Sequence, residues 1–244
     1  MIRNFSDFCN ELLKCGFSMG GGNAKGIFAV VPYTWEEQDF IDSPVKWHTG
    51  DSETDPWEWR IRVLDERDDI AYSKLFFNLS GYITKEWYPY FYAVRRGAKT
   101  LEEEYADGNI TMFEKCIYSV IRDTGYAPVH EIKRLGGFSR EDKSRFDRAL
   151  TSLQMKMYVT MCGKAQKISR SGEVYGWSST AFCTVESFWG NELIKKASRI
   201  SPQLAEEKIR ERILLLNPDA KENNIRRFIT DSPMSSASKA AGSI

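Results

Sequence analysis

The sequence predicts an α+β fold: a winged helix-turn-helix core of three helices plus a β-hairpin wing, an α/β N-terminal portion, and C-terminal helices. Three observations predict it. Between Leu101 and Val185, apolar residues recur at helical spacing in successive segments, then two strand-like runs flank a turn at Ser171-Gly172. Charge is segregated although the chain is neutral overall. From Glu36 to Asp69 twelve acids stand against Lys46, Arg60, Arg62 and Arg67, whereas from Glu131 to Arg170 ten Lys/Arg stand against four acids. Finally, 42% hydrophobic residues over 244 positions are enough to build a sizeable core.

Residues 4–16 read as a short helix with Phe5, Phe8, Leu12 and Leu13 on one side, broken by Gly20 to Asn23. Gly26 to Trp35 reads as a strand stopped by Pro32. Helical periodicity resumes at Trp57 and runs to about Arg67. Residues 74–84 alternate around Ser80-Gly81, as a hairpin or a strand and loop. Trp87, Tyr88, Tyr90, Phe91 and Tyr92 are dense enough for core, with a base-stacking platform as the alternative because Arg95 and Arg96 follow.

The next helix carries Phe113, Ile117, Val120 and Ile121 and stops at Gly125. A short one opens near Pro128 and closes on Gly136-Gly137. A third presents Phe146, Ala149, Leu150, Leu153 and Met157 as one stripe. Strands follow at Tyr158–Gly163 and Tyr175–Val185. Residues 201–218 form an amphipathic helix, and 220–229 continue it. The organisation is therefore residues 1–100 as an acidic, aromatic-rich portion, 101–190 as the winged-helix domain, 191–230 as a helical segment, and 231–244 as a flexible tail.

No run approaches the ~20 apolar residues of a membrane helix, and the first residues lack an apolar signal block. The expected location is cytoplasmic. Five cysteines without a CxxC pair read as reduced thiols, and with His48 and His130 alone no metal site of usual spacing is expected. No cofactor is implied. Gly20 to Gly26 is not a phosphate loop, because Lys25 is followed by Gly26 and leads into a strand.

With the apolar stripe turned inward, the third helix presents Ser144, Arg145, Arg148, Thr151 and Ser152 outward. Those side chains contact phosphates or base edges when such a helix enters a major groove. The wing adds Lys164, Lys167 and Arg170, and Lys133 and Arg134 flank the same surface. DNA is the expected partner, contacted without catalysis. A base-excision enzyme and a protein-interaction module are the competing expectations.

Trp47 to Arg60, WHTGDSETDPWEWR, is the densest local pattern. An EF-hand calcium loop starting at Asp51 would need Gly and Glu where Pro56 and Arg62 stand. A helix start fits instead: Asp55 as N-cap, Pro56 in the first turn, Glu58 closing a capping box, and Trp57, Ile61 and Leu64 facing inward. His48 and Asp51 stay as possible functional residues.

WHTGDSETDPWEWR, then KLFFNLSGYITKEWYPYFYAVRRG, then LTSLQMKMYV and SGEVYGW resemble the AlkZ-related family of bacterial proteins. Those are similar, in their winged-helix part, to the AlkZ-type DNA glycosylases that excise alkylated or crosslinked bases. The resemblance reaches about Trp189 and implies a winged-helix fold and DNA as partner. The enzymes use Gln-x-Gln or Gln-x-Asp to position water. Here Gln154-Met155-Lys156 and Gln38-Asp39 do not match, so the resemblance carries no catalytic residue across.

Overall fold

The computed structural model describes residues 1–97, 99–168 and 171–231. Among them the chain is α+β, with eleven α-helices and two small antiparallel sheets.

Helix α1 (Phe5–Cys15) starts where Asn4 accepts the Asp7 amide and buries Phe5, Phe8 and Leu12. It leads directly into β1 (Phe17–Met19), a strand too short to leave an alternation signal in the sequence. Gly26 to Trp35, expected as a strand, is irregular. It buries Ile27, Ala29, Val30, Val31 and Tyr33, but its links to the sheet are scattered: Met19 N–H to the Phe28 carbonyl, Gly22 N–H to Val31, and Val30 N–H to the Ser18 hydroxyl. A side-chain oxygen replaces a ladder bond, so burial occurs without regular pairing.

Helix α2 (Pro56–Glu66) follows, then β2 (Ile70–Phe76) and β3 (Leu79–Thr84), giving sheet order β1-β3-β2. The hairpin turns at Phe77-Asn78, with φ of 54° and 62°, and not at Ser80-Gly81. Two positive φ values suit the right-handed twist of the strands. Gly81 serves another purpose. A Cβ there would lie 2.5 Å from the Phe76 ring and 2.8 Å from the Ser18 carbonyl oxygen, so glycine lets β1 approach β3.

Helix α3 (Tyr88–Arg95) buries Tyr88, Phe91 and Tyr92, which settles the aromatic cluster as core. Helices α4 (Leu101–Ala106) and α5 (Met112–Thr124) each begin with a complete capping box, Thr100 with Glu103 and Thr111 with Glu114. Gly125 ends α5 at φ 73°. Next come β4 (Ala127–Pro128), α6 (Val129–Leu135), α7 (Lys143–Met155), β5 (Val159–Ile168) and β6 (Val174–Thr184), with sheet order β4-β6-β5. The chain closes with α8 (Val185–Trp189), α9 (Asn191–Ala197), α10 (Pro202–Leu216) and α11 (Glu222–Thr230). Of the expected tail, residues 231–244, Asp231 is the C-cap of α11, and residues 232–244 lie outside the described residues.

Three apolar clusters form the core. One joins β1, β2, β3 and α3 to α8–α11, with Phe76 and Phe228 stacked at 3.8 Å. The second unites α1, α2 and the Val30–Trp47 region. The third lies between α4–α7 and the β4-β6-β5 sheet. Buried Gln154 of α7 ties this last unit to the first sheet. Its Oε1 accepts from the Ser73 hydroxyl (2.8 Å) and the Lys74 amide (3.0 Å), while Nε2 donates to the Leu150 carbonyl (2.9 Å).

Glu114 is a second buried polar anchor. It accepts from the Ser152 hydroxyl at 2.6 Å and from the Lys156 ammonium at 2.9 Å. Burial pushes its carboxyl up, but the Ser152, Lys156 and Thr111 donors outweigh that and hold it below the usual range. A depressed folded value means stability that is present above the unfolded value, ~4.3, and lost as pH falls through the folded one. Glu114→Gln is therefore expected to destabilise at pH 7 and to converge on the wild type as pH drops below about 4, read from urea midpoints across pH. A difference independent of pH would show that the charge is not what matters.

Candidate nucleic-acid interface

Helix α7 buries Phe146, Ala149, Leu150 and Leu153 and turns its other side outward, as the 3.6-residue period requires. Ser144, Arg145 and Arg148 are exposed there, together with Lys143. The Arg145 guanidinium sits 2.7 Å from Asp142 and 4.9 Å over the Phe113 ring, while Arg148 reaches Ser144 at 3.5 Å. Asp142 is held below the ordinary carboxylate range by the Ser139 amide and hydroxyl, with Arg145 adding to this.

The C-terminal half of α7 is different. Thr151 and Ser152 are partly buried: Ser152 is tied to Glu114, and Thr151 accepts from the Lys74 ammonium at 3.4 Å. Strand β2 covers that half. Between it and the β2–β3 turn lies an open groove of about 750 Å³, lined by Lys74, Asn78, Lys143, Arg148, Thr151 and Asp231 among others. Lys74 and Asn78 escaped sequence reasoning because nothing local places a hairpin turn 70 residues upstream beside α7.

Of the α6 cations, Arg134 pairs with Glu131, and the Lys133 ammonium lies 4.6 Å over the Phe146 ring. On β5, Lys164 stands opposite Thr180 and Lys167 opposite Tyr175. The tyrosine hydroxyl of Tyr126 donates to the Lys164 carbonyl at 3.0 Å and steadies the base of the hairpin. Arg170 lies outside the described residues. The structure thus brings Arg145, Arg148 and Ser144 onto one helix face and Lys164 and Lys167 onto the hairpin, while Thr151 and Ser152 turn to internal contacts.

The 47–60 stretch lies apart from this surface, against α1, where the Phe5 amide donates to the Glu53 carbonyl. Asp55 is fully buried, and its carboxylate accepts four backbone amides: His48, Thr49, Gly50 and Trp57, at 3.1, 2.8, 2.9 and 2.8 Å. It is the N-cap, but the expected capping box is absent at this helix, because the Asp55 amide is taken by the Asp51 carbonyl instead of Glu58. The inward face also differs from expectation. Pro56, Trp59 and Val63 are buried, whereas Trp57 is 43% exposed beneath the Arg60 guanidinium (3.2 Å). Asp51 accepts from the Glu53 amide and the Thr54 hydroxyl, both at 2.9 Å, which draws its carboxyl below the usual range. His48 is exposed at φ 61°, with its ring 4.9 Å from Trp57. Both residues have structural positions in a turn.

All five cysteines are free thiols; Cys9, Cys15 and Cys183 are buried, and Cys116 and Cys162 partly so. Among the described residues no group of three or more His, Cys, Asp or Glu is placed to hold a metal ion, and no helix is long and apolar enough to cross a membrane. A cleft of about 1130 Å³ between α1 and residues 27–33 is lined by none of the sequence-predicted site residues.

No curated protein and no solved structure matches this chain. A family model described as AlkZ related matches it from residue 2 to residue 230. That span takes in both sheets, helices α1 to α11 and the surface of α7, and by it the chain belongs to the AlkZ-related family.

Proposed function

We propose that residues 112–184 form a winged helix-turn-helix that binds duplex DNA without catalysis. The N-terminal half of α7 lies in the major groove, and the β5–β6 hairpin acts as the wing. One observation carries the reading: three helices pack on a sheet ordered β4-β6-β5, the third helix exposes Arg145 and Arg148, and the hairpin carries exposed Lys164 and half-buried Lys167. Membership of the AlkZ-related family supports DNA as the partner. Because Thr151 is bonded to Lys74 of β2 and Ser152 to Glu114 of α5, reading of bases falls to Ser144, Arg145 and Arg148, with Lys143 and the wing lysines on phosphates.

Neutralising Arg145, Arg148 and Lys167 together, each to Gln, is expected to weaken duplex binding. The slope of log K against log salt should flatten by about 3, roughly one for each cation removed from the phosphate backbone. Binding and salt slope that match the wild type would place the DNA surface elsewhere.

The family relationship also favours a second reading, a glycosylase-like activity on alkylated bases. Gln154 does not support it, since its side chain is buried and its amide bonds Ser73, Lys74 and Leu150. Incubation with alkylated DNA and a search for abasic sites decides between the two: release of damaged base overturns the non-catalytic reading.

A further inference from the structure

The β5–β6 hairpin carries a feature that duplex contact leaves unused. Between the pairs Ala165↔Ser179 and Lys167↔Tyr175, β5 advances two residues and β6 four. The surplus falls at Gly176, Trp177 and Ser178, with Gly176 at φ 65° in the left-handed region that glycine tolerates best. Trp177 is 91% exposed at this bulge, and among the described residues no ring or cation lies against it. Ile168, Val174 and Tyr175 beside it are also more than half exposed.

We propose that Trp177 is a stacking residue for an unpaired base, so that the protein prefers duplex DNA with an adjoining single strand over continuous duplex. This rests on the reading of the hairpin as a DNA-binding wing. An indole open on its faces offers a π-surface that bases in a duplex, already stacked on one another, cannot use; single-stranded bases can. Charge selects the occupant. The described residues of the hairpin carry Lys164 and Lys167 against one acid, Glu173, and Lys167 shares a face with Tyr175, where a strand's phosphates would run as its bases stack. The bulge matters because it frees Trp177 from cross-strand pairing and leaves its ring 91% exposed to an approaching base.

The test uses the full chain and anisotropy titrations with two probes, a blunt duplex and the same duplex bearing an oligothymidylate tail. The tail is expected to tighten wild-type binding roughly tenfold, equivalent to ~1.4 kcal/mol. Trp177→Ala should lose that gain and keep its affinity for the blunt duplex, and Trp177→Phe should retain most of the gain. If the tail adds nothing, or Trp177→Ala keeps the full gain, the stacking role is overturned while duplex binding stands. If neither probe binds, both readings fall. Self-association in sedimentation that Trp177→Ala abolishes would assign the bulge to a protein contact and also overturn the proposal.

Discussion

Replacing Arg95 by Met is expected to lower the unfolding free energy by about 3–5 kcal/mol and the melting temperature by roughly 10 °C. Arg95 leaves the end of α3 and enters the junction where α7, β2 and α11 meet. Its guanidinium donates to the carbonyls of Leu75 (2.5 Å), Met155 (3.3 Å) and Ile229 (2.7 Å), and to that of Phe228. Burial pulls the group down to about 10, with Asp231 opposing the shift, so it stays protonated at neutral pH. Methionine fills much of the volume but leaves four carbonyls without donors, and each such loss is worth ~1–3 kcal/mol. Lysine is not expected to rescue, because a point ammonium cannot span acceptors that a planar fork reaches on three sides. Urea unfolding at constant m-value reads the effect. A Met variant within about 1 kcal/mol of the wild type would show that the packing of Phe76, Phe91 and Phe228, not the guanidinium, holds β2, α3 and α11 together.

Asp55→Ala is expected to cost about 2–4 kcal/mol, more than the ~1 of an ordinary N-cap, because it strips the acceptor from four amides at a fully buried site. Asp55→Asn should recover part of this: one oxygen remains an acceptor for two amides, while the amide nitrogen faces two N–H groups it cannot accept from. His48→Ala and Asp51→Ala should each stay within about 1 kcal/mol. His48 is exposed, and the bonds of Asp51 are confined to its own turn. Thermal unfolding of the four variants provides the comparison. An Asp55→Ala variant as stable as His48→Ala would mean the amides find other acceptors.

Legibility in the sequence followed the range of the forces involved. Gly125 ended α5, and Phe146, Ala149, Leu150 and Leu153 of the expected stripe face inward on α7, because caps and amphipathic periodicity act within a few residues; Met157, expected in the same stripe, lies past the helix end at φ 59° and packs in the first cluster instead. At α2 the same period misled. Three tryptophans lie within thirteen positions, and hydrophobicity alone cannot say that Trp59 fits against Phe8 while Trp57 is held outside by Arg60. The Phe77-Asn78 turn was misplaced because a bulky residue at positive φ is locally unfavourable; the packing of Phe77 near Phe228 and Arg227 offsets that cost. For the candidate site, residue types pointed to α7 and the β5–β6 hairpin, but not to the internal bonds of Thr151 and Ser152.

By itself the sequence determined the mixed α+β character, the succession of α5, α6, α7, β5 and β6, and the polar outward face of α7, since each follows from contacts close along the chain; β4, two residues long, left no local signal. Only the tertiary structure decided which of those polar residues remain available. Gln154, Arg95 and Glu114 act across separations of up to 134 residues, and burial makes their satisfied bonds obligatory. Those long-range bonds bring β2 onto α7, and so divide the helix into an exposed basic half and a half committed to holding the molecule together.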